Sequence, residues 1–137
     1  MKKLGCKSLV ICTVCFATLW VSSNALLAQE FAKVKAESLK QWIESADNSI
    51  LIVDVQPKGA YHLGHIKGAI NFPWAADLKS PGDLPRDKTL ILYCDCPNEE
   101  DSQDAANQLN EKWEYSNIKL LEGGWSNWRK MGYPTEK

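Results

Sequence analysis

The chain contains 137 residues, of which 45% are apolar and 24% are charged. This length suffices for one compact domain and is too short for two hydrophobic cores of ordinary size. Six tryptophans and the high apolar content exclude a wholly disordered chain, because such chains lack the apolar surface that offsets the entropy of ordering. The formal charge is −1 and the basic residues are dispersed, so we expect no nucleic-acid partner.

Residues 1–28 have the pattern of a secretory signal peptide. Three lysines precede an uncharged apolar stretch of 13 residues, and small residues follow it. A transmembrane helix needs about 20 apolar residues. We therefore predict cleavage after Ala25 or Ala28, which gives a periplasmic or secreted protein without membrane contact. An uncleaved membrane anchor is the alternative, because no charge lies between Lys7 and Glu30.

Residues 29–137 form the predicted exported domain, and its charge and cysteine content differ from those of the whole chain. Three of the 16 basic residues and none of the 17 acidic residues lie in the signal segment, which leaves the domain with a formal charge of −4. The domain contains two cysteines, Cys94 and Cys96. Export would place them where disulfides persist, so their redox state is open.

The predicted elements of this domain alternate between short apolar strands and amphipathic helices. In chain order the pattern predicts a helix over 36–46, strands over 50–55 and 89–93, a helix with Ala105, Ala106, Leu109 and Trp113 on its apolar face, a strand over 118–121 and a helix over 125–131. Near-continuous apolar strands are typical of parallel sheets that are covered on both faces. The sequence therefore predicts an α/β fold with a small, mostly parallel sheet flanked by helices.

The position of Cys94 points to chemistry at the edge of this sheet. Cys94 directly follows a predicted strand, and residues 94–102 lead into the next helix. In open parallel sheets, sites form beyond the carboxyl ends of the strands. Backbone N–H groups at the amino end of a helix favour a thiolate over a thiol. We therefore expect a reactive cysteine with a lowered pKa in this loop.

Three segments resemble the rhodanese-like sulfurtransferases, and together they cover nearly all of the exported domain. They are Leu51–Val55 followed by Tyr61–Pro73 with its Gly64-His65-Ile66-x-Gly68-Ala69 pattern, Leu90–Cys94, and Leu121–Trp125 with Trp128, Gly132, Tyr133 and Pro134. The resemblance implies a small α/β domain whose loop cysteine accepts sulfane sulfur as a persulfide and transfers it to a nucleophilic acceptor. It implies no cofactor and no metal. The partners would be a small-molecule or protein-bound sulfur donor and a thiol acceptor.

The resemblance also implies roles for individual residues. Cys94 is the provisional persulfide carrier, and Cys96 is the alternate nucleophile or a resolving thiol. Cys94 follows the strand as in the family, whereas Cys96 has the family's usual distance to the serine that opens the helix, Ser102. The predicted substrate-binding residues are those of the loop, namely Asp95, Asn98, Glu99, Glu100, Asp101 and Ser102. The predicted supporting residues are Asp54, which orients a loop; His65, which bonds to backbone; Gly123 and Gly124, which allow positive φ or close approach; and Trp125, which packs the last helix and walls the pocket.

The loop departs from the family in its charge. Members that use thiosulfate tend to have basic or hydroxyl residues there, whereas this loop contains Glu99, Glu100 and Asp101. An acidic rim repels a dianion, so we predict weak activity with thiosulfate and a preference for a neutral, cationic or protein-bound donor. Gln56 and Ala60 also stand where the family often has Arg and Glu.

Three other interpretations of these residues remain. The two cysteines suit thiol–disulfide exchange, because a ring with one intervening residue is strained and labile. A metal site of His62, His65, Cys94 and Cys96 is conceivable by residue type alone. A partner-binding module would keep the fold without turnover.

Overall fold

The computed structural model describes residues 29–137, and a five-stranded parallel sheet lies at its centre. The elements in chain order are β1 (Ala32–Val34), α1 (Ala36–Glu44), β2 (Ile50–Asp54), α2 (Lys58–Leu63), β3 (His65–Ile66), β4 (Ile70–Asn71), β5 (Thr89–Tyr93), α3 (Glu100–Trp113), β6 (Ile118–Leu121), α4 (Gly124–Lys130) and β7 (Thr135–Glu136). The strand order in the sheet is β1-β6-β5-β2-β4. The predicted α/β fold with a mostly parallel sheet is confirmed.

The central strands are buried on both faces, as their apolar sequences predict. Strand β5 lies between β2 and β6 and is parallel to both, with Ile52 opposite Ile91 and Leu90 opposite Ile118. One face of the sheet packs against α3 through Leu109, and the other packs against α1 and α4. Because all of these strands run in the same direction, their carboxyl ends meet at one edge of the sheet.

The structure contains elements that the apolar periodicity did not predict. Strand β1 pairs with β6 at the sheet edge, β4 pairs with β2, and β3 pairs with β7 in a separate antiparallel ribbon. These strands have two or three residues each, too few for a periodic pattern to show. Helix α2 has six residues and buries none of them fully, so its sequence carries no amphipathic signal.

The predicted signal peptide and both of its cleavage positions lie outside the described residues. Within residues 29–137, no helix combines the length and the apolar character that crossing a bilayer requires.

Candidate active site in the loop after strand β5

The loop after β5 starts with a cysteine that is fixed in place. Cys94 is 1% exposed, and its carbonyl oxygen accepts a hydrogen bond of 2.9 Å from the backbone N–H of Trp125 at the start of α4. Its thiol lies 3.8 Å from the hydroxyl of Ser102 in the first turn of α3, to which it donates. The Ser102 hydroxyl in turn donates to the carbonyl of Glu99 at 2.9 Å. Cys94 is therefore held by two different helices.

The approach of α4 to Cys94 depends on a glycine. Gly124 has a φ of +50°, and a Cβ atom built on it would lie 2.3 Å from the carbonyl oxygen of Cys94. Gly123 also has a positive φ, +71°, and a Cβ there would lie 2.7 Å from the Cβ of Asn127. A side chain on Gly124 would force the β6–α4 turn away from the loop, whereas one on Gly123 would press against Asn127 within α4. Both glycines have a positive φ, and Gly124 allows the close approach to Cys94.

Cys96 lies in the same loop and is partly exposed, and both cysteines have free thiols. Burial raises the pKa of the Cys96 thiol strongly, and a hydrogen bond with Cys94 raises it further. The backbone N–H of Asp101, in the first turn of α3, acts in the opposite direction. The expectation that this loop lowers the thiol pKa is therefore wrong for Cys96, because desolvation outweighs the helix amino end.

Glu99 connects the loop to two other parts of the domain. The residue has a φ of 62°, in the left-handed region, and is 6% exposed. Its carboxylate forms an ion pair with Lys33 of β1 and accepts a hydrogen bond of 2.8 Å from the backbone N–H of Gly123. Its backbone N–H donates to the carbonyl of Cys96 at 3.3 Å, which closes a tight turn. Glu99 is therefore a structural tie, and its charge is paired inside the domain.

The exposed polar residues of the loop are Asp95, Asn98 and Glu100. Asp95 accepts a hydrogen bond from the hydroxyl of Ser126 on α4. Asn98 donates to Glu100 from its backbone at 3.2 Å and from its side chain at 3.0 Å. The pKa of Glu100 is lowered, because its carboxylate accepts hydrogen bonds from its own backbone N–H and from Asn98. Negative charge therefore faces solvent at Asp95 and Glu100, whereas Glu99 points inward.

A buried hydrogen-bond network lies beneath the loop. Asp54 is fully buried at the end of β2 and accepts hydrogen bonds from the hydroxyl of Tyr93 at 2.7 Å and the backbone N–H of Gln56 at 2.8 Å. The Tyr93 hydroxyl accepts a bond of 3.0 Å from the backbone N–H of Ile66. Burial raises the pKa of Asp54, while the donors from Tyr93 and Gln56 oppose that shift. The network fixes the end of β5 that carries the cysteines.

His65 and Trp125 are buried, and the ring of each lies near the ring of a tyrosine. The Nδ1 atom of His65 lies 3.0 Å from the carbonyl of Tyr61, and the two rings stack with centroids 3.7 Å apart. Trp125 is 7% exposed and packs near Tyr93, with ring centroids 6.3 Å apart. Within residues 29–137, no three His, Cys, Asp or Glu side chains gather in an arrangement suited to a metal ion.

Lys33 is a residue of this site that the sequence did not indicate. It lies 66 positions before Glu99 and stands in a strand of three residues. Its contact with the loop arises only because β1 pairs with β6 at the sheet edge. No local sequence signal marks such a pairing.

Fold and site together define a small α/β domain with a two-cysteine loop at the carboxyl end of its central strand. A family model for the rhodanese-like domain matches residues 35–131, and the chain belongs to this family.

Relatives and solved structures agree with this assignment. The HTH-type transcriptional regulator Rv0324 of Mycobacterium tuberculosis is 29% identical over 119 residues, which is 85% of this chain and 49% of the regulator. The thiosulfate sulfurtransferase GlpE of Pseudomonas paraeruginosa is 29% identical over 118 residues, which is 80% of this chain and 94% of that protein. The solution structure of the rhodanese-like domain from the Alr3790 protein of Anabaena sp. has a TM-score of 0.64 and 27% identity, over 78% of this chain and 80% of that chain. This chain thus spans about half the length of the regulator, and its relatives include a named sulfurtransferase.

Proposed function

We propose that the protein is a sulfurtransferase that carries sulfane sulfur as a cysteine persulfide in the loop after β5. The observation that carries the proposal is the pair of free thiols in this loop, one buried and one partly exposed, at the amino end of α3. A nucleophile must be reached by the donor, so we assign the attack to Cys96. Cys94, which is buried at the start of the same loop, then has a supporting role. The position directly after the strand favoured Cys94 as the nucleophile, and this assignment reverses that preference.

The proposed reaction has two steps without net oxidation. The Cys96 thiolate attacks the outer sulfur of a donor R–S–SH, the sulfur–sulfur bond of the donor breaks, and R–S⁻ leaves. An acceptor thiolate then attacks the outer sulfur of the Cys96 persulfide, takes that sulfur, and restores the Cys96 thiolate. Because burial raises the pKa of the Cys96 thiol, we expect the first step to become faster as the pH rises through the neutral and alkaline range.

The charge around the loop supports a restricted choice of donor. Asp95 and Glu100 carry exposed negative charge in the loop that contains Cys96, and Lys33, a cation that contacts this loop, is paired with Glu99. A dianion such as thiosulfate meets repulsion at this opening. We therefore propose a neutral, cationic or protein-bound sulfur donor, and an acceptor that is a small or protein-bound thiol. We also propose, from the pattern of residues 1–28, that the reaction takes place in the periplasm or outside the cell.

Mass spectrometry of the loop peptide tests the proposal. The full chain and its Cys94→Ser and Cys96→Ser variants are treated with cysteamine persulfide, a donor without net negative charge, or with thiosulfate, and the loop peptide is isolated because three more cysteines lie in residues 1–28. With the persulfide donor we expect a gain of one sulfur in the wild type and in Cys94→Ser, and none in Cys96→Ser; with thiosulfate we expect little gain in any form. A sulfur found in Cys96→Ser and absent from Cys94→Ser would move the nucleophile to Cys94. No sulfur in any form would refute sulfur transfer and leave a partner-binding module.

A second candidate function is thiol–disulfide exchange. It is favoured by the two free thiols, which lie in the same loop with a single residue between them. Formation of a disulfide between Cys94 and Cys96 would remove two hydrogen atoms from the loop peptide and reduce a partner disulfide. The same mass measurement, made after treatment with oxidised glutathione, distinguishes this loss from the gain of a sulfur.

A further inference from the structure

An exposed tryptophan is fixed on the α3 side of the sheet, shortly after strand β4. Trp74 is 38% exposed, although its ring is large and apolar. Its backbone N–H donates to the carbonyl of Val55 at 2.8 Å, and its indole N–H donates to the Oδ2 atom of Asp104 on α3 at 2.6 Å. Because both its backbone and its ring are hydrogen-bonded, Trp74 presents a fixed aromatic surface to solvent.

The carboxylate that orients this ring is partly exposed, and only one of its oxygens is used. The Oδ2 atom of Asp104 accepts the bond from Trp74 and a second one, of 2.8 Å, from the side-chain amide of Gln108. Gln108 also donates to the carbonyl of Ala75 at 2.8 Å, which fixes the segment after Trp74 on α3. Among residues 29–137, no donor bonds to the Oδ1 atom of Asp104 and no basic side chain lies within ion-pair distance of it. The carboxylate is therefore oriented and keeps one oxygen for a ligand.

The ring and its carboxylate lie on the same side of the sheet as the two thiols of the loop. Both cysteines pack in the hydrophobic cluster that α3 covers. The backbone N–H of Asp101, in the first turn of α3, lowers the pKa of the Cys96 thiol against the effect of burial. Asp104 follows Asp101 by three residues, so the two are neighbours on one face of the helix, with Cβ atoms about 5–6 Å apart. One face of α3 therefore leads from Cys96 to the Trp74 ring.

A fixed indole beside an oriented carboxylate suits a basic side chain. The face of an indole attracts cations, and a guanidinium can stack on the ring while it donates to a carboxylate. The charge on this part of α3 favours the same ligand, because Glu100 and Asp101 add two acids to its first turn. A fixed ring and a fixed carboxylate also lose little freedom when the ligand binds, which increases the affinity that the contacts provide.

We infer that Trp74 and Asp104 bind a basic side chain of a polypeptide whose cysteine exchanges sulfur with Cys96. The partner is a polypeptide because a helical turn separates Asp104 from the part of α3 that contacts the thiols. An extended chain advances about 3.3 Å per residue, so an arginine or lysine two or three positions from a cysteine reaches both features. The inference rests on the proposed function for the exchange of sulfur, whereas the binding of the basic side chain does not depend on it.

Binding is tested on the full, reduced chain without any sulfur donor. The probes are two peptides, acetyl-Cys-Gly-Gly-Arg-amide and its counterpart with glutamine in place of arginine. NMR follows the indole N–H of Trp74, which is assigned by its absence from Trp74→Phe. We expect a saturable shift with the arginine peptide and none with the glutamine peptide.

Two variants of α3 separate recognition from general charge. Asp104→Asn keeps an oxygen that can accept the bonds from Trp74 and Gln108 but loses the charge, so the Kd of the arginine peptide should rise about 3- to 5-fold, as for a partly exposed ion pair beside a ring. Glu111→Gln removes one charge from an exposed position of the same helix and should leave the Kd unchanged. Equal Kd values for the two peptides, or an unchanged Kd in Asp104→Asn, would overturn the inference.

The rate of sulfur transfer from the loaded protein to each peptide tests the role of this binding. We expect Asp104→Asn to raise KM for the arginine peptide about 3- to 5-fold, to leave kcat nearly unchanged, and to leave the glutamine peptide unaffected, because the lost contact lies away from the reacting sulfurs. The same dependence on Asp104 with cysteamine as acceptor would assign the site to a small aminothiol and overturn the inference of a polypeptide. Absence of any persulfide alongside selective binding of the arginine peptide would refute the proposed function and leave a site for basic side chains.

Discussion

Replacing Gly124 by alanine should destabilise the domain by an amount that its geometry sets. The left-handed φ of +50° costs a residue with a side chain about 1–2 kcal/mol. The new Cβ would also lie 2.3 Å from the carbonyl oxygen of Cys94, so the turn must move by several tenths of an ångström. That movement would break the hydrogen bond from Trp125 to Cys94, which contributes about 1 kcal/mol. We therefore expect a total loss of about 3 kcal/mol, a large fraction of the stability of a small domain.

Two other glycines separate the effects of φ and of the contact with Cys94. Gly132 has a φ of +67° and no heavy atom within 4 Å of its built Cβ, so Gly132→Ala should cost about 1 kcal/mol from backbone strain alone. Gly59 lies exposed in α2 with open space around it, and Gly59→Ala should stabilise the helix by about 0.5–1 kcal/mol. Guanidinium denaturation followed by tryptophan fluorescence measures all three. A loss for Gly124→Ala within 0.5 kcal/mol of that for Gly132→Ala would show that close packing on Cys94 is not what requires the glycine.

Three further predictions concern the ion pair of Glu99, the buried carboxyl group of Asp54 and the two thiols of the loop. Glu99→Gln should lower the free energy of unfolding by about 1 kcal/mol, and a double-mutant cycle with Lys33→Gln should assign part of that loss to the ion pair, since Lys33 is half-exposed and screened by solvent. Because burial raises the pKa of Asp54 in the folded state, its contribution to stability is present at acidic pH and is lost as the pH rises above about 4; the stability difference between wild type and Asp54→Asn should therefore fall over that interval. Iodoacetamide should alkylate the native Cys94→Ser variant at Cys96, and should modify Cys94 in the native Cys96→Ser variant far more slowly, because Cys94 is 1% exposed.

Each of these predictions has a distinct contrary outcome. Additive losses in the cycle of Glu99 and Lys33 would mean that the two charges do not act together. A stability difference that does not change with pH would show that the Asp54 carboxylate is not penalised by burial. Equal alkylation rates in the two serine variants would mean that the loop opens far enough to expose Cys94 as readily as Cys96.

The sequence predicted the parts of the fold that are determined by burial along a continuous segment. Strand β5 is apolar throughout because both of its faces are covered, and this pattern is visible without any knowledge of its neighbours. Strand β1 exposes two of its three residues, so its place in the sheet depends on pairing with β6, almost 90 positions later. Such pairings are decided by tertiary contacts, and no local pattern contains them.

The same distinction applies to the site. The position of Cys94 at a strand end follows from the chain itself, and so does the need for glycines next to a close approach. The inward orientation of Glu99 does not, because it depends on a left-handed backbone conformation and on Lys33. The sequence analysis grouped Glu99 with the exposed acids of the loop, whereas its side chain is 8% exposed and its carboxylate is ion-paired.

The two cysteines differ in burial because of where they lie among the attachments of the loop between β5 and α3. Cys94 is held by Trp125 and Ser102, which fixes the start of the loop on the sheet and on α3. Glu99 fixes the end of the loop on β1 and on the β6–α4 turn. Cys96 lies between these attachments and is partly exposed; its carbonyl accepts the 3.3 Å turn bond from Glu99, and the neighbouring Asp95 is bonded to Ser126. A thiol in that position is accessible to a donor while its surroundings stay fixed, and this combination is what a carrier needs if it is to be loaded and unloaded by two different partners.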